Sequence, residues 1–277
     1  MVGFRFSALP ENGLLKYFNF LYFNMMWVAW ESRVWCQTEC GVGRRRPPEA
    51  VYVSGIDRKQ HWDRAWSGRP ADRMSWHQDR PGRSLAMIED AGLAAGDALV
   101  DIGGGASTLA GQLLARGYED VTVLDLSSSA LDVARRALGA DADRVTWIEQ
   151  DVTQFRPGRS YRLWHDRAVF HFLLGPADRQ RYAFALRQAL PPGGQAVIAT
   201  FAIDGPPRCS GLDVVRYDAD GIVAALGEGL ELVDTQQEQH RTPSGAVQAF
   251  SYFRFVRSSD HAPDRLQSED GEQAEEL

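Results

Sequence analysis

The chain has 277 residues, of which 44% are hydrophobic and 24% are charged, so it can bury one substantial core. Its formal net charge is −7, and residues 258–277 hold much of it, with seven acidic residues against one arginine. We expect this segment to be an acidic, disordered tail. The rest of the chain has a small net negative charge, which argues against a surface that binds nucleic acid.

The cysteines Cys36, Cys40 and Cys209 are too few and too scattered for a disulfide framework, so a reducing, cytoplasmic location fits best. Cys36 and Cys40 are close in sequence, but no second ligand pair follows at the spacing of a zinc site. We therefore predict no metal.

Residues 1–50 differ in composition from the rest, because Leu14 to Trp30 is an apolar and aromatic run. This run is shorter than the roughly 20 residues of a transmembrane helix and is interrupted by Lys16, Asn19 and Asn24, so we expect no stable membrane span. No small-residue cleavage site follows it, as a secretory signal would require. We predict an N-terminal extension outside the fold, with an interfacial amphipathic segment as the alternative.

Residues 51–257 have a regular pattern that predicts one domain of alternating strands and helices. A short helix over 84–92 leads into an apolar strand near Val100, and Ser127 is placed to cap a helix over 128–138. Alternation of this kind indicates a parallel sheet covered by helices on both faces. The further predicted strands are 121–124, 145–148, 161–164 and 195–201, and the further helices are 107–116 and 178–190.

The end of the domain breaks this alternation. Two strand patterns, 230–233 and 247–255, have no helix between them and are joined by a loop over 238–246. Strands connected in this way must pair antiparallel, so we expect the sheet to finish in a reversed hairpin.

The most informative motif is the glycine-rich sequence from Asp101 to Gly105, which joins the first strand to a helical pattern. Glycine lets the backbone approach a ligand where a Cβ atom would collide. The next strand ends on Asp125, about twenty residues later, the separation at which a βαβ unit brings a carboxylate to a ribose diol. Together these features predict a nucleoside pocket.

From Trp62 to Arg257 the order of motifs resembles class I S-adenosylmethionine-dependent methyltransferases. The resemblance rests on Val100–Ser107, Asp125, Asp151 and Leu190–Gly194. It implies an α/β fold with a Rossmann-like, doubly wound, seven-stranded sheet that is mostly parallel and ends in an antiparallel C-terminal hairpin. It also implies S-adenosylmethionine as cofactor and in-line transfer of a methyl group to an acceptor.

The resemblance also implies roles for single residues. Asp101 would lie near the methionine end, Asp125 would bind the ribose and Asp151 would take the adenine amino group. The implied cofactor-binding residues are Asp101, Gly103, Gly104, Gly105, Asp125, Leu126, Asp151, Val152 and Asp166.

Two alternative functions have to be weighed. An NAD(P)-binding oxidoreductase also has a glycine loop followed by an acid, but Thr108 stands where the dinucleotide fingerprint has Gly or Ala. Asp101 would repel a pyrophosphate and attract a sulfonium or ammonium group. The second alternative is a catalytically silent cofactor-binding protein.

The run from Trp164 to Leu173 follows the fourth predicted strand, where class I enzymes face the transferable methyl group. Because ligands bind at the carboxyl ends of parallel strands, we expect Asp166 and Arg167 to line the cleft as catalytic residues. Asp166 would attract or deprotonate an amine acceptor, whereas Arg167 would matter more for a carboxylate or thiol acceptor. His165 and His171 fit equally well as buried structural residues.

Other candidates lie on loops and before the sheet. Direct methyl transfer needs no covalent enzyme intermediate, so a nucleophilic role for Cys209 is not required, and a polar hairpin rim explains His240 better than a catalytic base. The region that matches the lid of class I enzymes contains Trp62, Trp76, His77 and Gln78.

The runs 164–173 and 204–212 resemble bacterial class I enzymes loosely similar to eukaryotic protein-lysine methyltransferases, including the one that acts on citrate synthase. The acceptor implied is therefore a protein lysine or a small molecule.

Overall fold

The computed structural model describes residues 57–66 and 70–259. The predictions for the 1–50 extension, with its aromatic run and Cys36 and Cys40, lie outside these residues, as does the predicted acidic tail from residue 260 onward. None of the helices in the two described ranges combines the length and the apolar character that crossing a bilayer requires.

Helices and strands alternate through most of the described chain. The helices are α1 (Arg58–Trp66), α2 (Gly82–Asp90), α3 (Leu109–Ala115), α4 (Ser128–Leu138), α5 (Pro176–Ala189) and α6 (Ala219–Leu226). The strands are β1 (Leu99–Ile102), β2 (Val121–Asp125), β3 (Val145–Glu149), β4 (Leu163–Arg167), β5 (Gln195–Phe201), β6 (Arg208–Cys209), β7 (Leu212–Asp213), β8 (Leu230–Arg241) and β9 (Val247–Arg257).

The main sheet has seven strands in the order β3-β2-β1-β4-β5-β9-β8, and β6 and β7 form a separate two-stranded sheet. Strands β1 to β5 are parallel, whereas β9 runs antiparallel to both β5 and β8. The predicted doubly wound sheet with a reversed final hairpin is therefore confirmed. The strand order switches direction between β1 and β4, and in sheets of this type ligands bind at the carboxyl ends of the strands beside such a switch point.

The central strands β1, β4 and β5 are buried on both faces, and their side chains alternate between the two faces. Val100 and Trp164 belong to a cluster with Tyr182 of α5. Leu99 belongs to a second cluster, with Leu113 of α3 on the opposite face. Successive residues of one strand therefore face different helices. The same alternation decides which polar side chains of β4 can line a cavity.

Local signals fix several element ends. The Ser127 hydroxyl accepts a hydrogen bond from the Ala130 backbone N–H at 3.2 Å and thereby caps the start of α4. The helix spans residues 128–138, as the sequence predicts. Pro176 lies in the first turn of α5, where its missing N–H leaves no helical bond unmade.

The structure differs from the sequence prediction in the last third of the domain. β8 continues to Arg241 because Glu238 to Arg241 pair with Val247 to Phe250, so the predicted loop over 238–246 shortens to residues 242–246. The short helix α6 and the β6–β7 hairpin were not predicted. α6 contains Gly221, and a glycine inside a helix weakens the helical pattern of the sequence. The N-terminus of α6 is capped by the Asp218 carboxylate, which accepts a hydrogen bond from the Gly221 N–H at 2.8 Å.

Candidate active site

The glycine loop after β1 brings backbone against two carboxylates. Gly103 and Gly105 have φ values of +66° and +29°, a region that glycine adopts without strain. A Cβ atom on Gly104 would lie 2.4 Å from Asp101 Oδ2, and one on Gly105 would lie 2.6 Å from Asp125 Oδ2. The loop therefore has no room for side chains at these positions.

Asp101 is held by a buried chain of polar side chains. Its Oδ1 lies 2.7 Å from His165 Nδ1, and His165 Nε2 lies 2.9 Å from the Ser84 hydroxyl oxygen. Asp101 is 2% exposed, and its Oδ2 is buried without a hydrogen-bond partner. His165 thus fixes the Asp101 carboxylate and leaves one oxygen of it free to accept a hydrogen bond.

Asp125 ends β2 and accepts a hydrogen bond from the Ser127 N–H at 2.8 Å. Burial raises the pKa of Asp125 to about 7, and the nearby carboxylates of Asp101 and Asp63 add to this rise. Asp125 can therefore take up and release a proton near neutral pH.

Asp151 follows β3 and caps the short helical turn Val152–Gln154. Its Oδ1 accepts hydrogen bonds from the Thr153 N–H at 2.9 Å and the Thr153 hydroxyl at 2.8 Å. Its Oδ2 lies 2.9 Å from Arg58 Nη2, and Arg58 Nη1 reaches Asp178 at 3.2 Å. Arg58 therefore ties α1 to this edge of the sheet.

Two adjoining cavities lie at the carboxyl ends of β1 to β4. Leu126, Asp125, Asp151 and Val152 line the first cavity, and Asp101, Gly104 and His165 line the second. Both cavities are lined by the same five residues, which we call the junction: Trp66, Trp76, Ile102, Gly103 and Arg167. The cofactor-binding residues implied by the sequence thus lie along one continuous groove, with the exceptions of Gly105 and Asp166, which line neither cavity.

Asp166 does not line the cleft, contrary to the sequence expectation. It is fully buried, and its carboxylate accepts hydrogen bonds from the Tyr182 hydroxyl at 2.7 Å and the backbone N–H groups of Val169 and Phe170 at 2.8 and 3.1 Å. Side chains alternate between the two faces of β4. His165 and Arg167 therefore lie on one face, where they line the second cavity, and Asp166 lies on the other face, toward α5. Burial raises the pKa of Asp166 to about 6, and its hydrogen bonds oppose that rise.

Arg167 lines both cavities, as expected for a residue of the cleft. Its Nε donates to the Tyr252 hydroxyl at 3.0 Å, and its Nη1 donates to the Trp76 carbonyl at 3.1 Å. Nη2 makes no hydrogen bond, and the nearest carboxylate oxygen, on Glu238, is 3.7 Å away. The guanidinium also lies over the Phe250 ring, 4.5 Å from its centroid.

Aromatic side chains cover the first cavity. The Trp62 ring contacts Trp76 and Phe172 edge to face, with centroids 5.8 and 5.2 Å apart, and Trp66 contacts Trp76 at 5.6 Å. Trp62 and Trp76 were singled out in the sequence as parts of a lid, whereas Trp66 was not. His77 and Gln78 line the second cavity.

The remaining candidates occupy different places. His171 is buried outside both cavities, and burial lowers its pKa to about 3, so it is neutral at physiological pH. His240 is buried with Nε2 2.8 Å from the Ser75 carbonyl oxygen, and burial lowers its pKa. Cys209 lines the first cavity, and burial raises the pKa of its thiol.

Sequence reasoning missed Arg58 and Ser84. Arg58 precedes the strands by a long stretch of chain, and no local pattern marks it as the partner of Asp151. Ser84 lies inside the predicted helix 84–92, where a serine carries no signal of its own. Both become visible only when the fold brings α1 and α2 to the sheet edge.

Comparisons with known proteins agree with this fold. Residues 99–194 match a family model described as a methyltransferase domain, and no curated protein matches the chain. N-methyltransferase NodS from Bradyrhizobium japonicum WM9, in complex with S-adenosyl-L-homocysteine, is 18% identical over 72% of this chain and 97% of its own, with a TM-score of 0.56. The glycopeptide N-methyltransferase MtfA, complexed with S-adenosyl-L-methionine, is 18% identical over 68% of this chain and 99% of its own, with a TM-score of 0.51.

A structure described as "Conversion of a Disulfide Bond into a Thioacetal Group during Echinomycin Biosynthesis" is 22% identical over 74% of this chain and 93% of its own, with a TM-score of 0.58. These neighbours share the fold of the chain. The domain match and the shared fold together support an S-adenosylmethionine-dependent methyltransferase of class I. This agrees with the order of motifs in the sequence, and the matches do not favour the oxidoreductase alternative.

The raised pKa of Asp125 leads to a testable prediction. Ribose hydroxyls donate hydrogen bonds to the ionised carboxylate, so a ligand that binds there favours loss of the proton. Because the pKa of Asp125 is about 7 in the free protein, we expect the affinity for S-adenosyl-L-homocysteine to rise from about pH 6 to about pH 8. Calorimetry in buffers of different ionisation enthalpy should detect proton release on binding.

Asp125→Asn is the matched control for this titration. It keeps the shape of the side chain and cannot ionise, so the pH dependence that belongs to Asp125 should disappear. A pH slope that is identical in the wild type and in Asp125→Asn would remove Asp125 from the ribose site.

Proposed function

We propose that S-adenosylmethionine binds across the two cavities and that its methyl group is transferred at the junction to a small-molecule acceptor. The adenosine portion would occupy the first cavity, beside Asp125 and Asp151. The methionine portion would occupy the second, beside Asp101. The single observation that carries this proposal is the set of five residues shared by both cavities, because the sulfonium joins the two portions of the cofactor.

The chemistry of the groove fits this cofactor. Asp101 Oδ2 is buried without a partner and can accept a hydrogen bond from the amino group of the methionine portion. Glycine at position 104 lets the loop pack directly against the Asp101 carboxylate, because a Cβ atom there would collide with it. Leu126 and Val152 give the first cavity apolar walls suited to an adenine ring.

The bound cofactor supplies an electrophilic methyl group on a sulfonium cation. The residues of this chain then have to align the acceptor and exclude water, since direct displacement needs no covalent enzyme intermediate. Trp62, Trp66 and Trp76 are placed to exclude water, and Arg167 is placed to contact the acceptor. Asp166 acts through the backbone of residues 169 and 170, so we assign it a structural role in place of the catalytic one.

The aromatic cover favours a small molecule over a lysine on a folded protein. Trp66 is 8% exposed, and the Arg167 side chain is 11% exposed. A small acceptor can be enclosed at such a junction, which limits competition by water.

Methyl transfer into a cell lysate tests this proposal. The protein is incubated with S-adenosylmethionine labelled with tritium in the methyl group, and the lysate is separated into protein and small-molecule fractions. We expect the label in the small-molecule fraction. Label confined to protein would favour the lysine acceptor, and failure of S-adenosyl-L-homocysteine to bind in calorimetry, beside NAD as a control, would refute the cofactor assignment.

We also propose that residues 51–257 form the catalytic domain and that the enzyme works in the cytoplasm. The regular strand and helix pattern supports the first statement. The small number of scattered cysteines supports the second.

A further inference from the structure

Arg167 has unused hydrogen-bonding capacity at the junction. A guanidinium carries five N–H donors, and in Arg167 only the bonds to the Tyr252 hydroxyl and the Trp76 carbonyl are made. Arginine with free N–H groups is the side chain best suited to a planar anion such as a carboxylate.

The charges around the junction favour an anion there. The sulfonium of the cofactor would place a second positive charge close to Arg167. Each carboxylate of the groove already has one partner, since Asp101 is bonded to His165, Asp125 to the Ser127 N–H and Asp151 to Arg58, and the free oxygen of Asp101 is assigned to the amino group of the cofactor. An ammonium acceptor would add a third cation, whereas a carboxylate would lie between two cations.

Glu238 balances the Arg167 charge without occupying its free donors. Its Oε1 accepts from Gln78 at 3.0 Å and its Oε2 accepts from the Tyr252 hydroxyl at 2.9 Å. The Glu238 oxygen nearest to Arg167 is 3.7 Å from Nη2, beyond hydrogen-bond distance. The guanidinium is therefore held in place while part of its fork stays available.

The junction contains no group that could serve as a general base. Its five residues are two tryptophans, an isoleucine, a glycine and the arginine. The two imidazoles that line the second cavity are each bonded to a carboxylate, His165 to Asp101 and His77 to Asp79. A carboxylate acceptor needs no such base, because it is already ionised at neutral pH.

We infer that the acceptor is a small aromatic carboxylate, with its anion on Arg167 and its ring against Trp66 and Trp76 of the junction. This inference rests on the proposed function and names the substrate class of the same site. One carboxylate oxygen forms a bond to the methyl carbon while the carbon–sulfur bond breaks, and that electron pair stays on sulfur. The products are a neutral methyl ester and a neutral thioether, and no proton has to leave.

Calorimetry on the protein saturated with S-adenosyl-L-homocysteine tests this inference with three probes of similar size: 2-naphthoate, 2-naphthylmethanol and 2-naphthylmethylamine. We expect 2-naphthoate to bind about tenfold or more tightly than the other two, as a charge-assisted bidentate contact would give. Arg167→Gln should reduce this preference to about twofold or less, and Arg167→Lys should keep part of it.

Matched variants separate anion binding from structural support. Tyr252→Phe removes the acceptor of the Arg167 Nε bond but keeps the guanidinium, so the preference for 2-naphthoate should remain. Glu238→Gln removes the competing negative charge and should tighten 2-naphthoate binding, an effect that a merely structural Arg167 would not produce. The affinity of Arg167→Gln for S-adenosyl-L-homocysteine shows whether the cofactor half is still folded.

Three results would overturn the inference: equal or tighter binding of the amine, binding of none of the probes, or a 2-naphthoate preference that survives in Arg167→Gln. In each case normal binding of S-adenosyl-L-homocysteine would leave the proposed cofactor site intact. Loss of that binding in the wild type would instead refute the proposed function itself.

Discussion

Replacing Asp166 with alanine is expected to lower the free energy of unfolding by about 4 kcal/mol, because three buried donors would lose their acceptor at about 1–3 kcal/mol each. These donors are the Tyr182 hydroxyl and the backbone N–H groups of Val169 and Phe170. Urea unfolding followed by tryptophan fluorescence measures the effect.

A surface aspartate serves as the control for this measurement. Asp213 is exposed and pairs with the exposed Arg208, so Asp213→Ala should change stability by no more than about 0.5 kcal/mol. If Asp166→Ala were as stable as the wild type but had lost turnover, the structural role of Asp166 would be wrong and a catalytic role in the acceptor site would be supported.

Replacing Gly104 with alanine is expected to weaken S-adenosyl-L-homocysteine binding about 100-fold, close to 2.7 kcal/mol. The new Cβ would lie 2.4 Å from Asp101 Oδ2 and 3.0 Å from Val123 Cγ1. Asp101 has no room to move away, because His165 holds its other oxygen and the residue is buried. The methyl group would therefore clash with the oxygen that is free to accept the cofactor amino group and would push the glycine loop out of position.

Gly96→Ala is the matched control, since a Cβ there has no atom within 4 Å. It should leave the affinity unchanged in the same calorimetric titration. Gly104→Ala binding within about threefold of the wild type would show that the loop can relax and that Asp101 Oδ2 does not meet the ligand.

Much of the fold could be predicted because its signals are local. Periodicity marked the strands, Ser127 marked the start of α4, and the missing helix before β9 marked the reversed hairpin. The glycine loop and Asp125 were also found from the sequence through the spacing of a βαβ unit, and Asp151 was implied by the resemblance to class I methyltransferases.

The direction of single side chains could not be predicted in the same way. Asp166 and Arg167 are adjacent in sequence, and only the register of β4 against β1 shows that His165, opposite Asp101, shares its face with Arg167. Asp166 therefore points toward α5, where its carboxylate accepts a hydrogen bond from Tyr182, sixteen residues further along the chain. Long-range pairs such as Arg58 with Asp151 carry no sequence signal at all.

Arg167 ends β4, beside the point where the strand order reverses, and this position has an evolutionary consequence. The residues that support Arg167, Tyr252 and Glu238, belong to the hairpin of β8 and β9. Asp101, Asp125 and Asp151 lie at the ends of β1, β2 and β3, much earlier in the chain. On these assignments, mutation or recombination confined to β8 and β9 would change which compound is methylated. The binding site of the methyl donor would stay the same. Chimeras that exchange this hairpin between homologues would inherit donor affinity from one parent and acceptor choice from the other.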